Sequence, residues 1–446
     1  MSATFTSAFT SASAATDPNR PHLETARTQI AQGDLKAAAL TLNKAQKNNP
    51  NDARVFMLAG LMAEKAGNLL GALEALRRSV ALAPDWGPGL LELALLLARQ
   101  NQFKEAIETA EKVAALEPKN LQVLAGVIDI AHRASHLEMA VRHLRRGLEL
   151  VPGDAMLCRL LARDLGNLGQ YASALELWDT LIDQNPQDTE SLMGRVHVLV
   201  AQGQPTRALK DTMALLELAP GDSVYAYYNA LAHGATPPHQ PPELNRGLFD
   251  SMAELYDQHM VRTLKYQLPK QVADKIIARY PDKKINVLDL GCGTGLLGVC
   301  LGRLDGALVG VDISKGMINQ AAHHHVYDRF HHTNLLDALE DTPESLYQVL
   351  AALDVFIYAG DMARAIPNAL RILTPGGQWV FSCETAPEDG PALVLQPSGR
   401  YAHQRSHIQA LCESAGFMPI ETEDTVLRYE GAEPVHGFVV TAHKPI

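Results

Sequence analysis

The sequence from Asn286 to Gly298, NVLDLGCGTGLLG, predicts a strand, a tight turn and the start of a helix. The apolar residues that open it are typical of a buried parallel strand. Three glycines at alternate positions, Gly291, Gly293 and Gly295, then allow positive φ and a close approach of the backbone to a ligand. Because the free N–H groups at a helix N-terminus favour negative charge, we predict a nucleotide-like ligand at this turn.

Dinucleotide-binding folds offer one interpretation of the turn. Gly293, Gly295 and Gly298 match their spacing, G-x-G-x-x-G. The next predicted strand, Ala307 to Ile313, contains Asp312 near its end, where a carboxylate can accept both hydroxyls of a ribose. Other nucleotide-binding α/β folds use the same acid, so neither feature decides between them.

The order of the segments that follow is more specific. We predict further strands at Leu353–Tyr358, Gln378–Cys383, Met418–Arg428 and His436–Ala442, and helices ending at Arg371 and Ala415. The motifs VLDLGCGTG, VDIS and LTPGG occur in that order, and the combination resembles the class I S-adenosylmethionine-dependent methyltransferases over residues 243–446. The resemblance implies an α/β Rossmann-like domain with a mostly parallel sheet and S-adenosyl-L-methionine as its cofactor.

The same resemblance assigns the residues that hold the cofactor. Asp312 is expected to accept the ribose hydroxyls, and Asp289 to lie near the amino group of the methionine part, with helix capping as the alternative for either carboxylate. The methionine part would be lined by the turn itself, namely Gly291, Cys292, Gly293 and Gly295.

The adenine ring is expected at the end of the third strand. The family often has an acid there that accepts from the adenine amino group, and the corresponding residue here is Asn334, followed by Leu335. Its amide oxygen can accept one such hydrogen bond, and Asp337 is the competing candidate. Ile313 and Met317 would sandwich the ring, or belong to the core of the domain.

A leader segment before the first strand is predicted to form an amphipathic helix. Phe249, Met252, Tyr256 and Met260 occur at helical spacing, and Tyr266 follows them. In similar methyltransferases such a leader closes over the cofactor, so Tyr256 and Tyr266 are assigned to the cofactor site. The alternative is a helix that packs on the sheet and touches no ligand.

Three residues are candidates for the chemistry. Tyr358 and Asp361 lie at the predicted carboxyl end of the fourth strand, where ligands bind in open α/β sheets. Asp361 would orient a nucleophile or cap the following helix, and His403 would act as a base or a substrate contact. Another group of histidines, residues 323–325 and 331–332, is interpreted as a solvated helix end, so no metal site is predicted.

A different pattern, a period of 34 residues, extends from Thr16 to about Pro220. Prolines recur at this spacing at Pro50, Pro84, Pro118, Pro152, Pro186 and Pro220. An alanine stands 12 residues before each of them, at Ala38, Ala72, Ala106, Ala140, Ala174 and Ala208. Each unit therefore predicts two helices with a small residue where they cross and a proline before the next unit.

Turn residues lie between the two helices of each unit. They stand five residues before the alanines, at Gly33, Gly67, Asn101, Ser135, Gly169 and Gly203. The pattern resembles the tetratricopeptide repeat and predicts an α-solenoid at 17–233, with six repeats and a capping helix. Residues 1–16 are expected to form a disordered tail and the proline-rich segment 234–242 an extended linker with nothing to pack against.

Composition limits the classes of function. Hydrophobic residues make up 47% and charged residues 20% of the 446, as in ordinary soluble proteins. The five scattered cysteines indicate neither a disulfide framework nor a zinc site, which favours the cytoplasm, and no membrane span is predicted. Residues 243–446 carry a net charge of -8, against -3 for residues 1–242, which argues against a nucleic-acid substrate.

These features together predict a cytoplasmic S-adenosylmethionine-dependent methyltransferase whose repeats recruit a protein substrate or partner. One alternative is a small-molecule methyltransferase that the repeats tether to an assembly. Another is a non-catalytic scaffold that only binds the cofactor. The sequence leaves the methyl acceptor, the methylated atom, the need for a general base and the oligomeric state open.

Overall fold

The computed structural model describes residues 17–254, 256–430 and 433–446. The predicted tail, residues 1–16, lies outside the described residues. The chain divides into two compact units, Met1–Val198 and Leu199–Ile446, so the division falls within a helix, Thr189–Ala201. The domain boundaries inferred from the sequence, at residues 233 and 242, remain predictions.

The repeat region consists of helices in pairs. In chain order they are α1 Arg20–Gln32, α2 Leu35–Asn48, α3 Ala53–Lys65, α4 Leu69–Leu82, α5 Gly87–Arg99, α6 Phe103–Leu116, α7 Leu121–Arg133, α8 Leu137–Leu150, α9 Ala155–Asn167, α10 Tyr171–Gln184 and α11 Thr189–Ala201. A 3₁₀ turn, Pro205–Ala208, then leads to α12 Leu209–Leu218 and α13 Ser223–Ala232. The predicted α-solenoid of helix–turn–helix repeats is confirmed.

The periodic residues have the conformations that the pattern requires. All six turn residues adopt positive φ, including the non-glycines Asn101 at 58° and Ser135 at 53°. This left-handed conformation ends the first helix of each pair and reverses the chain. The six alanines are at most 1% exposed, because each lies where two helices cross too closely for a larger side chain.

The second unit is built on a twisted sheet. Its strands are β1 Val287–Leu290, β2 Leu308–Asp312, β3 Arg329–His332, β4 Tyr347–Ala352, β5 Leu373–Thr385, β6 Leu393–Leu395, β7 Tyr401–His403, β8 Ile420–Glu430 and β9 Glu433–His443. In the described residues the order is β3-β2-β1-β4-β5-β7-β6, with β9 antiparallel to β5 and β8 antiparallel to β9. Each neighbouring pair in the series β3-β2-β1-β4-β5-β7 is parallel, so the predicted mostly parallel sheet is confirmed.

Helices and short turns connect the strands. They are α14 Pro242–Met252, a π-helix Gln258–Thr263, α15 Leu268–Arg279, α16 Leu296–Leu301, α17 Lys315–Ala322, α18 Leu335–Asp341, α19 Phe356–Ala359, α20 Ala365–Ile372 and α21 Arg405–Ala415. Apolar clusters cover the sheet, one with Trp379 and Phe381 and another with Val287 and Val380. The strand order changes direction between β1 and β4, because β2 and β3 lie on one side of β1 and β4 and β5 on the other. In open α/β sheets a ligand binds in the crevice at the carboxyl ends of the strands at such a point.

One predicted strand is wrong. The sequence indicated a strand at Leu353–Tyr358, but the fourth strand, β4, ends at Ala352 and the next residues turn into the short helix α19. Asp354 adopts a positive φ of 55° at that turn. Both segments are short apolar runs, and hydrophobic periodicity alone does not distinguish a buried strand from a buried helical turn.

The expectation of an extended linker with nothing to pack against is also wrong, because residues 234–242 belong to the second unit and contact other segments of it. The Tyr401 hydroxyl donates to the carbonyl of Pro237 at 2.7 Å, and the backbone N–H of Asp361 donates to the carbonyl of Pro238 at 2.9 Å. Such contacts join segments far apart in the chain and leave no local pattern. Within the residues that the structure describes, no helix is long and apolar enough to cross a membrane.

Candidate functional site

A cavity of about 330 Å³ lies at the carboxyl ends of β1, β2 and β4. The glycine turn contributes Gly291 and Gly293, and the end of β2 contributes Asp312. Other walls come from the leader, from the segments after β3 and β4, and from the linker. The crevice that the strand order predicts is therefore present as a pocket at this edge of the sheet.

The glycine turn has the backbone geometry that the sequence predicts. Gly291, Gly293 and Gly295 have φ values of 67°, 54° and 87°. A Cβ on Gly291 would lie 2.4 Å from the Val355 side chain, so no larger residue fits there. A Cβ on Gly293 would meet only Tyr256, at 3.9 Å, which leaves room for a ligand against the backbone of this residue.

Asp312 is held rigidly at the end of β2. Its two carboxylate oxygens accept hydrogen bonds from the backbone N–H groups of Gly293 and Ser314, each at 2.8 Å. Burial raises the pKa of Asp312, and these hydrogen bonds work in the opposite direction. A carboxylate has about four acceptor positions, so two remain for the paired hydroxyls of a ribose.

The predicted adenine site lies beside it. Asn334 lines the cavity, but its amide oxygen caps α18 by accepting from the N–H groups of Leu336 (2.8 Å) and Asp337 (3.0 Å). The amide nitrogen donates to the carboxylate of Asp337, which also lines the cavity. Ile313, Met317 and Leu335 line the same region, with Met317 only 1% exposed.

The leader forms part of the cavity wall. The ring of Phe249 on α14 packs edge-to-face on Tyr358 at 5.1 Å and on Tyr256 at 6.4 Å, and all three line the cavity. Asp250 fixes the leader by accepting from the Ser314 hydroxyl at 2.6 Å and the Gly316 N–H at 3.0 Å. These hydrogen bonds hold the leader close to Asp312, the residue predicted to bind the ribose.

Comparison with known proteins gives two family matches. Residues 287–377 match the methyltransferase domain, and residues 23–85, 91–155 and 159–223 match the tetratricopeptide repeat. The chain combines tetratricopeptide repeats with a methyltransferase domain. The predicted recognition, the enzyme class and S-adenosylmethionine as the cofactor are thereby confirmed, whereas the acceptor is not determined.

Individual relatives match the methyltransferase half. A ubiquinone biosynthesis O-methyltransferase of Hydrogenovibrio crunogenus is 25% identical over 188 residues, which are 38% of this chain and 74% of the relative. A mitochondrial one of Dictyostelium discoideum is 32% identical over 115 residues, 23% of this chain and 36% of the relative. Among solved structures, a magnesium protoporphyrin IX methyltransferase of Synechocystis with bound cofactor is 18% identical, with a TM-score of 0.37, covering 47% of this chain and 100% of that one.

The pocket of the methyltransferase domain fits its cofactor. The space against Gly293 admits a ligand close to the backbone, and Asp312 presents unused acceptor positions beside it. When bound, S-adenosylmethionine supplies an electrophilic methyl group on a sulfonium. The residues of the chain have to bind it, align an acceptor with it and exclude water.

Several residues assigned to the cofactor lie outside the set that lines the cavity. Cys292 and Tyr266 are buried, and Tyr266 belongs to the apolar cluster beneath the sheet. Gly295 begins α16, where a Cβ would come within 3.0 Å of Tyr327. Their predicted roles in direct cofactor contact remain predictions.

Asp289 also lies behind the lining residues. It is 3% exposed, and its carboxylate accepts a hydrogen bond from the Tyr327 hydroxyl at 2.6 Å. Burial raises the pKa of Asp289 to about 7; the hydrogen bond from Tyr327 opposes this rise, and the nearby charge of Asp312 adds to it. The carboxyl group is therefore largely protonated below neutral pH in the ligand-free protein.

This shift predicts a pH dependence of stability. A folded-state pKa above the unfolded value means that Asp289 stabilises the fold most at low pH, and that this contribution is lost as pH rises toward about 7. We expect Asp289→Asn, which keeps an acceptor for Tyr327, to flatten the loss of stability between about pH 4 and 7. Urea unfolding of both proteins across that range measures the effect. An equal slope in wild type and variant would contradict the assignment.

Of the three residues predicted to take part in the chemistry, Tyr358 lines the cavity, and Asp361 and His403 do not belong to its described lining. Burial raises the pKa of the Tyr358 hydroxyl, so the hydroxyl stays protonated and can donate a hydrogen bond but does not act as a base. Asp361 accepts from the N–H of Ala363 at 2.8 Å, within the turn before α20. The N-cap of α20 is Arg364 and no side chain caps that helix, so the alternative role of Asp361 as a helix cap is wrong, and its role toward a nucleophile remains a prediction. His403 is 2% exposed, with its Nε2 at 2.8 Å from the carbonyl of Gly360.

Sequence reasoning missed two parts of the site. Asp354, which follows β4, lines the cavity and accepts from the Arg428 guanidinium at 2.8 Å, although the two are 74 residues apart. His239 and Gln240 of the linker line the cavity as well. A charged residue inside an otherwise apolar predicted strand, Leu353–Tyr358, was the available signal for Asp354, whereas the linker offered none. No group of three potential ligands for a metal ion occurs in the described parts of the chain.

Proposed function

We propose that the chain methylates an acceptor group held in the cavity beneath the linker, and that its repeats recruit the protein that carries or delivers this acceptor. The proposal is supported by one observation: residues suited to the cofactor and aromatic residues suited to an acceptor line the same pocket. The glycine turn and Asp312 fit the cofactor, and the aromatic residues Phe249 and Tyr358 bound the adjoining space. A pocket that joins these two features would align the acceptor with the methyl group and limit the access of water.

The role of the repeats rests on their architecture. Solenoids of stacked helical pairs present an extended surface that usually binds polypeptide. The family match extends over most of residues 23–223, so this surface is long enough for a peptide or a folded partner. Recruitment through the repeats would raise the local concentration of an acceptor near the catalytic domain.

A second candidate, a small-molecule acceptor bearing a hydroxyl group, has a specific observation in its favour. The curated relatives of the methyltransferase half are named ubiquinone biosynthesis O-methyltransferases. The aromatic side chains of Phe249 and Tyr358, which line the cavity, would pack against a small ring. In this alternative the repeats tether the enzyme to an assembly.

The test is transfer of a labelled methyl group to components of a cell extract. The full chain is incubated with S-adenosylmethionine carrying a tritiated methyl group, and protein and small-molecule fractions are separated. Asp312→Ala serves as the background control, since it should lose cofactor affinity. Label in protein supports the first proposal and label in small molecules the second, whereas no label above the control would overturn both.

A further inference from the structure

The linker brings a histidine into the pocket. His239 is half-buried, lines the cavity, and places its Nδ1 at 2.8 Å from the backbone carbonyl of Ala359. A carbonyl oxygen only accepts hydrogen bonds, so Nδ1 must carry the proton. In the neutral ring Nε2 then has a free lone pair, because each neutral imidazole has one donor and one acceptor nitrogen.

That nitrogen is available. Nε2 of His239 makes no hydrogen bond to any residue that the structure describes, while Nδ1 fixes the orientation of the ring. The described carboxylates that line the same cavity are engaged: Asp312 by two backbone N–H groups, Asp337 by Asn334 and Asp354 by Arg428. Among these groups His239 is the one with an uncommitted basic atom.

The fold holds this part of the linker in place. The carbonyl of Pro238 accepts from the N–H of Asp361, and that of Pro237 accepts from the Tyr401 hydroxyl. Gly360 has a φ of 73°, and a Cβ there would lie 2.1 Å from the carbonyl oxygen of Pro238. Any larger residue at Gly360 would push the linker away, so the close approach that sets His239 beside Ala359 depends on this glycine.

The other histidine near this region does not have these properties. His403, the base suggested by the sequence, uses Nε2 to contact the carbonyl of Gly360, and its Nδ1 is buried without a partner in the described structure. Burial lowers the pKa of His403, which favours a neutral ring inside the protein core. It is placed to support the turn at Gly360 rather than to reach the cavity.

We propose that His239 is the general base that removes the proton from a hydroxyl group of the methyl acceptor. The proposal rests on the methyl-transfer function above. The acceptor O–H bond breaks, an O–C bond forms to the methyl group, and the S–C bond breaks with its electron pair retained by sulfur. The proton moves to Nε2 of His239, and the resulting imidazolium, whose Nδ1–H still donates to Ala359, returns it to solvent.

Two variants test this assignment. His239→Gln keeps an N–H group that can donate to Ala359 but has no basic atom to accept a proton. His233→Gln is the matched control, because His233 makes the same kind of contact, Nδ1 to the carbonyl of Asn229 at 2.8 Å, yet is exposed and outside the residues lining the cavity. In the tritium assay with extract acceptor, His239→Gln should lower the rate roughly 10²-fold or more, and His233→Gln should leave it unchanged.

A spectroscopic measurement tests the proton position without turnover. In ¹⁵N-labelled protein at mildly alkaline pH, the two ring nitrogens of a neutral histidine give widely separated shifts, and the His239→Gln spectrum identifies those of His239. The proton should be found on Nδ1 with Nε2 unprotonated. A proton on Nε2 would overturn the proposal.

The remaining outcomes separate this proposal from the function on which it rests. If wild type transfers label and His239→Gln does so equally fast, the base assignment is wrong while the methyltransferase function stands. If wild type transfers no label although calorimetry shows cofactor binding, the proposed function fails, and the base role fails with it. Loss of cofactor binding in His239→Gln would assign the residue to the cofactor site instead.

Discussion

Replacing Asp312 with alanine should weaken the binding of S-adenosylmethionine by about 1.5 to 3 kcal/mol, which is roughly a 10- to 150-fold rise in Kd. Asp312 is 8% exposed at the end of β2, with two acceptor positions used by backbone N–H groups and two left for the ribose. Alanine removes both ribose contacts. It also frees the N–H groups of Gly293 and Ser314, so the glycine turn loses one of its supports.

Titration calorimetry of the full chain measures the change in Kd. Asp274→Ala is the matched control, because the Asp274 carboxylate is 61% exposed, pairs with Lys270 on α15 and does not line the cavity. The Asp274→Ala variant should therefore bind S-adenosylmethionine with the affinity of wild type. Asp312→Asn should fall between the two, since one amide oxygen can replace only part of the carboxylate. Wild-type affinity in Asp312→Ala, or a preference for a nicotinamide cofactor, would show that the ribose assignment is wrong.

The largest loss of stability is expected from Arg428→Met. The Arg428 side chain is 4% exposed and contacts the carboxylates of Asp354 and Glu384, which are 8% and 1% exposed. Burial lowers the pKa of Arg428, but these carboxylates raise it overall, so the guanidinium stays charged. Methionine of similar length would leave the buried Asp354 carboxylate without its counter-ion and Glu384 with Arg400 alone, and breaking a buried pair in this way costs about 3 to 5 kcal/mol.

Hydrogen exchange of the amides in β4 and β5 reports the free energy of unfolding of this sheet separately from the repeats. Arg428→Met should lower it by the amount above. Lys270→Met breaks an exposed pair with Asp274, with side chains 71% and 61% exposed, and should cost no more than about 0.5 kcal/mol. A similar small loss in both variants would mean that the Arg428 cluster is screened like a surface pair.

The cluster also links stability to the pocket. Asp354 lies in the cavity wall at a positive φ of 55°, and its N–H donates to the Ser382 hydroxyl at 2.8 Å. The guanidinium of Arg428, on β8, donates a hydrogen bond to the Asp354 carboxylate. We therefore expect the position of the Asp354 turn to depend on the antiparallel strands β8 and β9, which lie outside the matched family region of residues 287–377.

Features that depend on residues close together in the chain could be predicted from the amino-acid pattern. A turn residue such as Ser135 and an alanine such as Ala140 recur at a fixed period because every repeat packs only against its neighbours, so the same constraints return in each unit. The glycine turn and Asp312 were equally readable, since a strand, a positive-φ turn and a helix N-terminus occupy consecutive residues. These short-range relations predicted the solenoid, the α/β domain and its cofactor.

Features that depend on contacts between residues far apart in the chain became visible in the folded molecule. The tertiary structure set His239 beside Ala359, 120 residues away in the chain, and placed Arg428 against Asp354. It withdrew His403 into the core and tied Asp361 to the N–H of Ala363 in the turn before α20. Which side chain reaches a pocket depends on packing and on the pairing of strands remote in sequence, and such pairings leave no periodic signal in one sequence. The linker shows this most directly, because its prolines predict an extended chain while only the fold supplies the surface on which that chain lies.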